Sequence, residues 1–172
     1  MGGHIWKYIA LFAGAVVVQT LLLDNLGLGL YIVPQIYILP VAMLPSRTAP
    51  AAVMLWAFLL GVVIDLLSGT AGLNVIAVLC TAFARPLALR AIFGAALVRE
   101  GMVPLPDKVG AGRVLRYLSL LLAIHFVVYF LFETLTFHYI WLTLVKIILS
   151  GTVSVGLCYL GILLFWGRRN VK

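Results

Sequence analysis

Apolar residues fall in long blocks along this chain, and the polar stretches between them are short. The first block runs from Ile5 to Leu23, broken only by Lys7, Tyr8, Gln19 and Thr20. That matches the ~20 residues a helix needs to cross bilayer hydrocarbon. Ala13-Gly14-Ala15 imitates a signal-peptide cleavage site, but the apolar run continues to Leu23, so the block predicts a spanning helix over 5–23. Asp24-Asn25 and the glycines that follow predict a turn. A second run, 30–44, contains Pro34 and Pro40 and stops at Pro45. It predicts a short, kinked helix, since membrane helices tolerate proline where neighbours satisfy the freed carbonyls.

The third helix is expected over 50–67, with Pro50 in its first turn, where the missing N–H costs nothing. The fourth is expected over 72–93, interrupted by Arg85-Pro86. Residues 94–113 form the one sizeable loop, rich in the turn formers of Pro104-Leu105-Pro106-Asp107 and Gly110-Ala111-Gly112. The fifth helix spans 114–135. The sixth ends at Trp166, ahead of Gly167-Arg168-Arg169. Its apolar character begins at Tyr139, whereas counting back ~20 residues begins near 147. Either the helix is long and tilted, over 139–166, or 136–145 lies in the interface. Phe137, Tyr139 and Trp141 suit an aromatic belt in both cases. The expectation is a single all-α domain over 1–172, a six-transmembrane-helix bundle.

Composition makes the bilayer the solvent. The 172 residues are 65% hydrophobic and 10% charged, against about half and a quarter in a soluble domain. One core in so short a chain cannot hide that much apolar surface. This excludes a soluble enzyme, a disordered tail and a fibrous protein. The net charge of +7 would suggest nucleic acid in a soluble chain. Its placement says otherwise. Six spans put both termini on one side, and that side then carries every basic residue except Lys146. Asp24, Asp65 and Glu133 fall at the opposite ends of their helices. The positive-inside rule makes both termini cytoplasmic. The basic excess becomes topology plus attraction to anionic membrane lipid, not a nucleic-acid site.

Motifs for catalysis are sparse. Cys80 and Cys158 lie far apart inside helices and make no zinc set. His4, His125 and His138 show no ligand spacing. No nucleophile elbow and no phosphate-loop lysine are signalled. No metal, cofactor or catalytic residue is expected. An ionised group inside a spanning helix is costly, so the few that occur attract attention. Gly61, Asp65 and Ser68 or Gly69 share a helical face, with Gly72 just beyond. The face reads as a close-packing seam around a buried carboxylate, against the plainer reading of an interfacial helix stop. His125 reads as a neutral packing histidine or as a ligand or proton group. Lys146 either snorkels outward or pairs with Glu133 or Asp65. Ser150, Ser154, Cys158 and Gly161 form a small-residue stripe, as do Ala10 and Gly14. Both read as packing faces.

The stretch from Pro34 to Pro86 resembles the rod shape-determining protein MreD family. The resemblance is carried by a proline opening an apolar second helix, then Gly61-Val-Val-Ile-Asp65-Leu-Leu-Ser68-Gly69-Thr-Ala-Gly72-Leu, then Ala82-Phe83-Ala84-Arg85-Pro86-Leu87. Arg116-Tyr117, His125, Phe132-Glu133 and the serine-bearing last helix before Arg168-Arg169 continue it. Gln35 departs from it, where an acidic residue would follow Pro34. The resemblance implies an architecture similar to substrate-binding subunits of energy-coupling-factor vitamin transporters. It also implies a place in the bacterial inner membrane, in the complex that guides cell-wall elongation. The implied partners are MreC, the actin-like MreB, the glycosyltransferase RodA and a class B penicillin-binding transpeptidase, with self-association also open.

Three functions follow as expectations. The leading one is a non-enzymatic scaffold that binds partner helices through small-residue faces. The second is a small-molecule transporter subunit. The third, an intramembrane enzyme, would depend on Asp65, His125 or Glu133.

Overall fold

The computed structural model describes residues 2–26, 32–134 and 140–166. Helix α1 (Gly2–Val17) continues through a π turn (Val18–Leu22) and a 3-10 turn (Leu23–Asn25). Then come α2 (Leu39–Met43), α3 (Pro50–Ser68), α4 (Leu73–Phe93), α5 (Ala95–Arg99), α6 (Pro106–Val109), α7 (Ala111–Thr134) and α8 (Ile140–Trp166). Among the described residues five stretches are long and apolar enough to cross a membrane: Trp6–Asn25, α3, α4, α7 and Trp141–Trp166. They match five of the expected spans within a few residues. Arg85-Pro86 does not interrupt α4, which runs on to Phe93. The loop expected over 94–113 holds the short helices α5 and α6. The aromatic-belt residues Phe137 and Tyr139, the glycines after Asn25, and Arg168-Arg169 lie outside the described residues.

The second predicted helix, 30–44, is the correction. Residues 32–36 are non-helical, a turn follows at 37–38, and only the five residues of α2 are helical. Pro34 and Pro40 explain this: each lacks an N–H, and each biases the residue before it away from helix. Extended chain covers about twice the length per residue that helix does, so 32–44 still reaches up to roughly 30 Å. That equals the hydrocarbon thickness. The segment runs antiparallel to α1: Ile36 meets Gln19 near its start, and Leu44 meets Tyr8 and Phe12 near its end. Among the described residues the fold therefore has five helices of spanning length, with the broken segment 32–44 packed along α1. Ala10 of α1 and Phe165 of α8 border one groove.

The broken pass is the centre of the molecule. Tyr37 to Met43 are almost wholly inaccessible, none more than 2% exposed among the apolar ones. α4 packs between α3 and α7, and α8 packs on α7. α1 lies against α2 and α3. Elsewhere the bundle turns its apolar side chains outward: Leu66, Phe83, Leu87 and Trp141 are each more than 70% exposed. A water-soluble fold would not do this over so much surface, but a lipid-facing one must.

Gly61 sets the distance between α3 and α4. A Cβ built there would lie 2.6 Å from the Cα of Val75. The clash is with backbone, so a rotamer change cannot relieve it. Gly61→Val should cost about 2–4 kcal/mol by forcing the helices apart. Reversible unfolding in detergent measures this, and a change under ~0.5 kcal/mol, the scatter of neutral surface substitutions, would remove Gly61 from the seam.

Candidate functional site

At the end where α3 turns into α4, Gly69 (φ +67°) ends one helix and Gly72 (φ +86°) opens the next. Only glycine adopts these angles freely. The turn brings the Asp65 carboxylate onto the first turn of α4, although Asp65 belongs to α3. Its Oδ1 accepts from Asn74 N (3.1 Å), Asn74 Nδ2 (2.9 Å) and Thr70 Oγ1 (2.5 Å). Its Oδ2 accepts from Val75 N at 3.0 Å. These backbone N–H groups are among the first four of a helix, which have no intrahelical acceptor. A negative charge there also opposes the positive end of the helix dipole. Asp65 is thus a buried helix cap supplied by the preceding helix, and its backbone oxygen accepts from Thr70 N as well.

A polar chain runs inward from this cap. Tyr37 Oη donates to Asn74 Oδ1 at 2.7 Å and lies 2.9 Å from His125 Nε2. A phenol has one hydrogen to give. Here it goes to Asn74, whose amide nitrogen faces Asp65, and the His125 ring carries the contacts on to α4. Its Nδ1 lies 3.3 Å from Thr81 Oγ1, and the Thr81 hydroxyl donates to Ala77 O. Asp65, Asn74, Tyr37, His125 and Thr81 are all buried. The chain joins α3, α4, α7 and the broken pass.

The other polar groups hold the broken pass. In hydrocarbon, non-helical backbone is tolerated only where protein satisfies it. Gln19 does this from the π turn of α1: Nε2 donates to Pro34 O (3.1 Å) and to Asp24 Oδ1 (2.7 Å), and Oε1 accepts from Ile36 N (2.9 Å). The α8 stripe supplies the rest. Ser150 Oγ accepts from Val33 N at 3.0 Å, Ser154 Oγ accepts from Gln35 N at 2.8 Å, and Cys158 Sγ donates weakly to Gln35 O at 4.0 Å. A Cβ on Gly161 would stand 2.9 Å from Leu39 Cδ2. The stripe packs within the bundle, each member at its own point along the segment. At the far end, Tyr117 Oη donates to Ala42 O and Arg85 Nη2 donates to Leu44 O, closing the exposed carbonyls after α2. Gln35 Oε1 and Arg85 Nε are buried without a partner among the described residues.

The remaining sequence candidates lie at the Asp65 end. Ser68 Oγ donates to Asp24 Oδ2 at 2.8 Å, tying α1 to α3. Lys146 meets Glu133 at 3.8 Å, not Asp65, and sits 5.7 Å over the Phe130 ring. Both side chains of that pair are partly exposed, which limits it to ~0–1 kcal/mol. The structure therefore joins Asp65, Gly69, Gly72 and His125 in one assembly and keeps Glu133–Lys146 as a separate α7–α8 tie. Reading the sequence singled out none of Gln19, Tyr37, Asn74 and Thr81 as site residues, and named Arg85 and Tyr117 only within the resemblance. The available signal was their polarity inside apolar blocks, where any unpaired polar group is expensive. His4 and His138 lie outside the residues whose side chains are described. Among the described residues no three metal-ligating side chains converge.

No family model, curated protein or solved structure matches this chain. Fold and site together define an all-helical, multi-pass membrane protein with a polar interior.

Proposed function

We propose that this protein is a non-enzymatic scaffold of the MreD type, a membrane subunit of the bacterial cell-wall elongation complex that binds MreC. In this reading both termini are cytoplasmic, in the inner membrane. The observation that carries it is how the buried polar groups are used. Asp65 caps α4, and His125 is held between Tyr37 and Thr81. Gln19, Ser150 and Ser154 hold backbone of the broken pass. Groups so engaged stabilise one rigid shape, which is what a docking subunit needs. Depleting the protein should turn rod cells round, and gentle detergent extraction from the native cell should bring MreC along. Unchanged shape together with no co-purifying wall-synthesis protein would overturn the proposal. A tightly held vitamin in the purified protein would favour the transporter reading instead.

A further inference from the structure

A groove of about 250 Å³ opens to the membrane between α1 and α8. Ala10, Gly14 and Val18 form one wall, Gly161 and Phe165 the other, and Ile36 and Leu39 of the broken pass form its floor. No polar side chain lines it. Lys7 lies on the same face of α1, three residues before Ala10 and seven before Gly14. Among the described residues no carboxylate is within salt-bridge reach of Lys7. Trp6, 71% exposed, and the Phe165–Trp166 pair mark the headgroup level at this end.

Two features identify the occupant. From Lys7 to Val18 is about 16 Å along a helix, close to one leaflet's half of the ~30 Å hydrocarbon core. A partner helix would cross both leaflets, whereas an acyl chain spans one. The Lys7 ammonium, one turn before Ala10 on the same helix face, complements an anion and disfavours an apolar helix. We propose that this groove binds an anionic phospholipid, with one acyl chain along Ala10, Gly14 and Val18 and its phosphate at Lys7.

The test is native mass spectrometry of the full chain, offered phosphatidylglycerol and phosphatidylcholine with identical acyl chains. Wild type should retain phosphatidylglycerol about fivefold better, the preference one lysine near the surface confers. Lys7→Gln should bring that ratio close to one. Gly14→Leu should lower retention of both lipids, because a Cβ there meets nothing within 4 Å and the longer side chain fills the groove. Unfolding midpoints matching wild type confirm that the variants fold, and Ala10→Leu serves as the groove-filling variant if Gly14→Leu does not. An unchanged ratio in Lys7→Gln, or unchanged retention in the groove-filling variant, overturns the proposal. So does a groove-filling variant that dissociates a dimer while keeping its lipid, since the groove would then hold a second copy.

Discussion

Asp65→Ala should destabilise the protein by at least about 3 kcal/mol, because it strips the acceptors from four donors that are buried or half-buried. The Asn74 and Val75 N–H groups would be orphaned at the start of α4, and Thr70 and the Asn74 amide would lose their anchor. Ordinary helix caps are worth ~1 kcal/mol. This one exceeds them because it is charged, buried and shared by two helices. Asp65→Asn keeps one acceptor oxygen and should cost about half as much. Unfolding in mixed detergent, followed by circular dichroism, measures both variants. A loss under ~1 kcal/mol for Asp65→Ala, no more than an ordinary cap, would remove the capping role. The same logic bears on binding. A partner lost on Asp65→Ala reports a contact at Asp65 only if the turn between α3 and α4 keeps its geometry, and the capping role predicts that it does not.

Gln19→Leu should be the second large loss, about 2–5 kcal/mol. Leucine keeps the bulk and removes the polar amide, so hydropathy would score the change as an improvement. The structure makes it harmful. Ile36 N–H and Pro34 C=O would lose their partner at membrane depth, and Asp24 would lose one of two donors. The π turn that aims Gln19 inward is a feature that recurs at functional positions in helices. Hydrogen exchange in nanodiscs localises the effect: the Ile36 amide should lose protection while α4 and α7 keep theirs. Equal protection of Ile36 in both proteins would show that Gln19 does not hold the segment. Ser154→Ala, which deprives only Gln35 N, should fall well short of Gln19→Leu.

The two variants differ in how legible their sites are from sequence. Asp65 stands out because a carboxylate in an apolar block is rare, and Gly61, Gly69 and Gly72 around it announce a close approach and a turn. The seam read from that spacing is present, with Gly61 against Val75 and Asp65 buried. The identity of its partners was not legible, since the donors sit on the next helix. Gln19 is harder still. In one dimension it merely interrupts a spanning run. His125 stands out in its apolar block, but its neighbours Tyr37, Asn74 and Thr81 come from two other elements. Ser150 and Ser154 were read as packing positions because small-residue stripes usually are. Here their hydroxyls also serve as acceptors for backbone.

Hydropathy by itself determined the solvent and five of the spans to within a few residues. These properties are local: each depends on how ~20 consecutive residues partition between lipid and water. The tertiary structure decided what 30–44 becomes. An apolar run with two prolines satisfies the partition rule either as a kinked helix or as extended chain. The choice rests on whether other elements can supply its hydrogen bonds. Those partners lie 17 residues upstream at Gln19 and 117 and 119 residues downstream at Ser150 and Ser154. Because extended chain needs such partners and helix satisfies itself, only the assembled bundle could settle that the predicted second helix is a broken pass through the core.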